Sequence, residues 1–152
     1  MVRTAFLLTI VLVLAACAAP ASLPPDARAD LEARWVDANG YRWPPNNGFA
    51  GPAVPIILPP GVLLDRFGSD HGRFFSPKGA AFQARALPTI CEKLTYTTFR
   101  VALSLPVWIG RAAPWFDEPG GATQVQTDAT VAQLVADGTL VRLPPQPATC
   151  PR

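Results

Sequence analysis

The chain has 152 residues, enough for one domain, with 13 Lys or Arg against 11 Asp or Glu and a single histidine. Leaving out Arg3, which falls in a leader, 12 basic residues face 11 acidic ones, so a basic nucleic-acid-binding surface is excluded. With Cys17 assigned to that leader as well, two thiols and one histidine fall short of a zinc site, and no carboxylate cluster marks a calcium site.

Met1-Val2-Arg3 is a short cationic start, Ala5 to Leu14 an apolar run, and Leu14-Ala15-Ala16-Cys17 a small-residue ending. This is the plan of an export signal, too short to span a bilayer. The ending resembles a bacterial lipobox, which makes residues 1–17 a lipoprotein signal and Cys17 an acylated anchor to the membrane. The alternative is a plain signal cut at a nearby Ala-x-Ala-like site. In an oxidising compartment Cys91 and Cys150 are left for each other, and the disulfide would stabilise by roughly 3–4 kcal/mol.

Residues 18–25 (AAPASLPP) read as a semi-extended tether, and residues 26–152 as the domain. Asp26 opens a helical pattern with Leu31 and Trp35 at i, i+4 and Asn39-Gly40 as its stop. Val54–Leu58 and Val62–Arg66 read as strands joined by a Pro59-Pro60-Gly61 turn, and Pro55 makes the first of them an edge. Between Leu64 and Gly79 a strand opens into a glycine-rich loop. There Arg66, His71 and Arg73 either converge on one anion, for which the arginine fork is suited, or are ordinary solvated charges.

Gly79–Leu87 is expected to form a short helix with Phe82 and Ala86 inward, ended by Pro88. Thr95–Leu103 is a strand by its β-branched and aromatic content, Val107–Gly110 another apolar piece, and Ala113–Gly121 a loop presenting aromatic surface. Ala122–Gln126 is a strand with Gln124 and Gln126 on one face and Val125 on the other. A helix over Thr130–Asp137 with Val131, Leu134 and Val135 as its stripe, and a strand at Leu140–Leu143, complete the chain. The order predicts an α+β fold, a single compact domain with a mainly antiparallel sheet and short helices.

Five blocks in order, YRWPPNNGFAGPAVPIILPPG, LDRFGSDHGRFFSPKGAAFQARALP, the LSLPV piece, APWFDEPGGATQ and VAQLVADGTL, resemble the tuberculosis-necrotizing-toxin-type NAD glycohydrolase domain across about residues 41–143. The resemblance implies cleavage of NAD⁺ (or NADP⁺) at the nicotinamide–ribose bond, with NAD⁺ as substrate, no separate cofactor and, for a toxin, an immunity protein as partner. It implies Arg66 and Gln124 as catalytic residues, Arg66 toward the pyrophosphate and Gln124 toward the ribose hydroxyls and the attacking water. Arg73, Phe74, His71 and Thr97 are the substrate-binding candidates around them, although His71 is equally read as an exposed loop residue.

Two positions depart from the family pattern. Phe74 stands where an aromatic hydroxyl is expected, and Thr97 where a histidine is expected in the strand after RALP. These departures motivate an alternative, a catalytically impaired lipoprotein that binds NAD or ADP-ribose; a purely structural envelope lipoprotein is a third. Transfer of ADP-ribose to a protein acceptor is disfavoured because Glu92 and Glu118 both lie in loop-like sequence.

Overall fold

A computed structural model describes residues 23–151; the leader, Cys17 and the start of the tether lie outside the described residues. After a small hairpin of β1 (Val36–Asp37) and β2 (Gly40–Tyr41) come β3 (Val54–Leu58), β4 (Leu63–Phe67), β5 (Phe74–Pro77), β6 (Tyr96–Val101), β7 (Leu105–Arg111), β8 (Thr123–Gln126), the helix α1 (Val131–Ala136) and β9 (Leu140–Arg142). Seven of the strands form one sheet in the order β3-β7-β8-β5-β4-β6-β9. Every neighbouring pair in it is antiparallel.

The strand period of two sorts the side chains onto two faces. Leu64, Phe75, Phe99, Val101, Val107 and Val125 point into the main core, which α1 covers with Val131 and Leu134. Burying a ring such as Phe75 or Phe99 contributes about 2–3 kcal/mol. The helix is short, and its first turn is secured by a capping box in which Thr130 Oγ1 accepts from the Gln133 N–H while Gln133 Oε1 accepts from the Thr130 N–H. On the opposite face of the sheet stand Asp65, Phe67, Phe74, Ser76, Gln124 and Gln126.

A second cluster forms where the segment before β3 meets the 113–118 loop. Phe116 is fully buried there against Ala27, Leu31 and Val36, and the rings of Trp35, Tyr41 and Trp43 meet it edge-on. Arg28 closes the contact by donating to the Glu118 carboxylate and the Phe116 carbonyl. The disulfide joins Cys91 to Cys150 with Cα atoms 5.7 Å apart and holds the proline-rich C-terminus to the body.

The structure corrects several local expectations. The segment from Asp26 is not a helix: only Ala33–Trp35 makes a 3₁₀ turn, and Asn39-Gly40 belongs to the β1–β2 hairpin, with Gly40 at φ +106°. Leu31 and Trp35 pack instead into the cluster around Phe116. β3 and β4 do not pair with each other; β3 pairs with β7, β4 with β5 and β6. Two apolar runs and a turn do not reveal their partners, and here Pro59-Pro60 carries the chain across the sheet. β3 is an edge strand, as Pro55 implied.

Gly79–Leu87 shortens to a 3₁₀ turn at Gln83–Arg85, closed by Ala86 at φ +51°, with Phe82 and Ala86 buried. Its arginine folds back to donate to the Ala80 carbonyl, a bond that a regular helix would not leave free. The 113–121 loop turns Phe116 fully inward, while Trp115 remains partly exposed. With one α-helix among the described residues, the fold is mostly β, an antiparallel sheet with few short helices.

Candidate functional site

The β4–β5 ladder consists of Leu64↔Pro77 and Asp65↔Ser76 and stops there. Beyond it the two strands separate toward the Gly68–Gly72 loop. A cavity of about 230 Å³ opens at the split, lined by Arg66 and Phe67 from β4 and by Phe74, Phe75 and Ser76 from β5. Gln124 of β8, Arg85 with Ala86 and Leu87, and the Trp43–Gly48 segment complete its walls. Exposed Trp43 and Phe74 place two aromatic rings at an otherwise largely apolar site.

The WPPNNGF block forms one wall because its backbone is forced into shape. Asn46, Asn47 and Gly48 all have positive φ, and the Asn46 amide donates to the Phe49 and Gly51 carbonyls. Phe49 then packs against Gly110, where a Cβ would lie 2.7 Å from the ring, while Ala50 N–H donates to the Arg111 carbonyl and Ala113 N–H to the Gly48 carbonyl. The turn so fixed receives Gln124: its Nε2 donates to the Asn47 carbonyl at 2.8 Å. Among the described residues Gln124 Oε1 has no donor, so the amide presents a fixed acceptor.

Arg66 is 7% exposed, and its Nε and Nη1 are buried without a hydrogen-bond partner. Nη2 lies 3.5 Å from the Phe67 carbonyl, and the guanidinium sits 5.7 Å from the Phe75 ring. The loop closes directly over it: a Cβ on Gly72 would come within 2.1 Å of Nη2. Burial pushes the Arg66 pKa down from its ordinary value; the charge of Asp70 opposes that shift and the charge of Arg142 adds to it. Asp70 is itself ion-paired with Arg142. The site therefore holds a cation that no carboxylate contacts, which favours an anionic ligand.

Of the residues expected from sequence, Arg66, Phe74 and Gln124 come together around the cavity. Arg73, His71 and Thr97 do not line it. His71 and Arg73 are exposed in the loop that leads into β5. Thr97 lies on β6 opposite Arg66, with β4 between it and the cavity.

Residues 57–143 match the model of the family described as Tuberculosis necrotizing toxin. The chain belongs to that family.

The tuberculosis necrotizing toxin match takes in Arg66, Phe74, Arg85 and Gln124, while the Trp43–Phe49 wall that seats Gln124 precedes it. Among relatives, the conidial surface nicotinamide adenine dinucleotide glycohydrolase of Aspergillus fumigatus is 39% identical over 136 residues, 80% of this chain and 58% of that protein. The chain thus spans little more than half the length of this relative. Among solved structures, tuberculosis necrotizing toxin complexed with its immunity factor is similar with a TM-score of 0.57 and 25% identity, over 66% of this chain and 61% of that one.

Arg85 is the cavity residue that sequence reasoning passed over. It is the arginine of the RALP block, and the signal for it was a cation three residues before the helix-ending Pro88, in a segment read as a plain amphipathic helix. The fold brings it to Asp65, which is fully buried, with Nη2 2.5 Å from Oδ1.

Proposed function

We propose that the chain hydrolyses the nicotinamide–ribose bond of NAD⁺, or of NADP⁺, to nicotinamide and ADP-ribose. The observation that carries this reading is the meeting, in one largely apolar cavity, of a buried arginine without a counter-ion and a glutamine whose carbonyl oxygen is held free. Membership of the family and the named activity of the Aspergillus fumigatus relative support the choice of substrate.

The chemistry suits so sparse a site. The ribosyl C1′–N bond breaks with both electrons passing to the pyridinium nitrogen, so nicotinamide leaves neutral and needs no proton, unlike the oxygen leaving group of a sugar. Water then adds to the oxocarbenium-like C1′ and releases its proton to solvent. Arg66, with Arg85, supplies fixed positive charge for the diphosphate. Gln124 Oε1 accepts from a ribose hydroxyl or the attacking water and fixes its approach. Trp43 and Phe74 offer ring faces for the bases.

The test is nicotinamide release from NAD⁺ by the purified, oxidised chain and its Gln124→Ala variant. Loss on the order of 10²–10³-fold in the variant is expected, the usual cost of removing one positioned polar group. Wild-type turnover by Gln124→Ala would overturn the assignment. A second reading, nucleotide binding without cleavage, is favoured by Phe74, a bare ring on the wall where a hydroxyl was expected, and by Thr97 lying outside the cavity. ADP-ribose binding with no release by the wild type would establish it. Export, attachment through Cys17 and an immunity protein that protects the producing cell belong to the same proposal. They rest on the Met1–Cys17 pattern and on the immunity factor bound to the solved toxin.

A further inference from the structure

Asp65 has no solvent exposure, yet nothing in the reaction uses it. Three donors converge on its carboxylate: Gly79 N–H at 2.8 Å and the Tyr96 hydroxyl at 2.8 Å on Oδ2, and Arg85 Nη2 at 2.5 Å on Oδ1. Arg85 in turn donates from Nε and Nη2 to the Ala80 carbonyl, and its guanidinium lies over the Phe67 ring at 5.1 Å. Phe67 is itself wedged between Phe82 and Tyr96, with ring centroids 4.9 Å apart in both pairs. Two of the three guanidinium nitrogens are thereby committed, and Nη1 has no protein partner among the described residues while the side chain lines the cavity.

We propose that Asp65 is a positioning residue of the site, acting through Arg85: the clasp of Asp65, Tyr96 and Gly79 N–H locks the arginine in one orientation with Nη1 left for the substrate's diphosphate. This rests on the reading of the cavity as a nucleotide site. Tyr96 and Gly79 satisfy one oxygen of this buried carboxylate, and Arg85 alone answers the other oxygen and the charge, so anion and cation hold each other in place at the cavity wall. Pairing it with Arg85 spends a fully desolvated anion on fixing one end of a flexible side chain. Thr149, Cys150 and Pro151 of the disulfide-tethered C-terminus line another cavity of about 240 Å³ together with Asp65 and Tyr96.

The experiment is a double-mutant cycle on the full chain, Asp65→Asn and Arg85→Ala singly and together, read by ADP-ribose affinity and, for turnover, by KM and kcat for NAD⁺, with a thermal melt on each variant. Asp65→Asn keeps the shape and both acceptor-side neighbours but removes the charge. It is expected to weaken ADP-ribose binding and raise KM on the order of tenfold, with kcat nearly unchanged, and to have no further effect once Arg85 is alanine. Additive losses in the double variant, or a fall in kcat alone, would overturn the positioning role. If Asp65→Asn fails to fold, Tyr96→Phe takes its place in the same cycle: a KM effect that disappears in the Arg85→Ala background supports the clasp, and one that persists refutes it. Wild-type protein that binds no ADP-ribose would sink the nucleotide reading itself, an outcome distinct from wild-type binding with additive variants.

Discussion

Gly72→Ala separates the fold from the site with one methyl group. A Cβ at this position would lie 2.1, 2.4 and 2.6 Å from Nη2, Nη1 and Cζ of Arg66, well inside contact distance. Gly72 does not have the left-handed φ that would strain an alanine backbone, so the conflict is with the arginine alone. A guanidinium can yield where a backbone cannot, and the expected response is that Arg66 swings out of its seat beneath the loop while the strands stay paired. Overpacking of this kind costs about 1–3 kcal/mol, a fall of roughly 3–11 °C in melting temperature for a domain of this size. Losing one charge-assisted interaction in the transition state is worth about 1.5–3 kcal/mol, or roughly 10- to 150-fold in kcat/KM. The assay is nicotinamide release from NAD⁺ beside a thermal melt, with Gly51→Ala as control because a Cβ there meets nothing within 4 Å. Adding Arg66→Ala to Gly72→Ala should cost nothing more. Wild-type kinetics in Gly72→Ala, or a full additional loss on removing Arg66, would refute the reasoning that the loop seats the arginine.

Two further outcomes follow from the same contacts. Both tyrosines of the chain, Tyr41 and Tyr96, have their pKa pushed up to about 12, first by burial and then by hydrogen bonds to Asp26 and Asp65 respectively. A raised pKa means that the neutral phenol is favoured in the folded state, so this stabilisation is complete below pH 10 and is lost as pH rises toward 12. A spectrophotometric titration of the folded chain should show no tyrosinate near pH 10, and a full step there would contradict both hydrogen bonds. Reduction of Cys91–Cys150, which closes a span of 59 residues, should lower unfolding free energy by about 3–4 kcal/mol in urea titrations with and without thiol. A difference below about 1 kcal/mol would mean that the C-terminal segment is held by other contacts.

What the sequence determined by itself was mostly local. Alternation placed Val125 inward and Gln124 outward, Pro55 marked an edge, Val131 and Leu134 marked the buried stripe of a short helix, and Cys91 and Cys150 were left for each other. The ordered blocks were sufficient to single out Arg66 and Gln124, and Phe74 beside them. Other features depended on distance in space and not on spacing along the chain. Leu31 and Trp35 read as a helix because period alone cannot weigh a stripe against Phe116, more than eighty positions later. β3 and β4 looked like a hairpin because two apolar runs do not encode their partners.

The cavity exists because the β4–β5 ladder ends after two residue pairs, and no property of LDRFG or GRFFSP alone says where a ladder stops. Tertiary structure also left Arg73, His71 and Thr97 out of the cavity lining and brought Arg85 to its wall. Arg85 sits there because Asp65, twenty positions earlier and fully buried, required a counter-charge, and in a low-dielectric interior that requirement outweighs the helical preference of the segment between them.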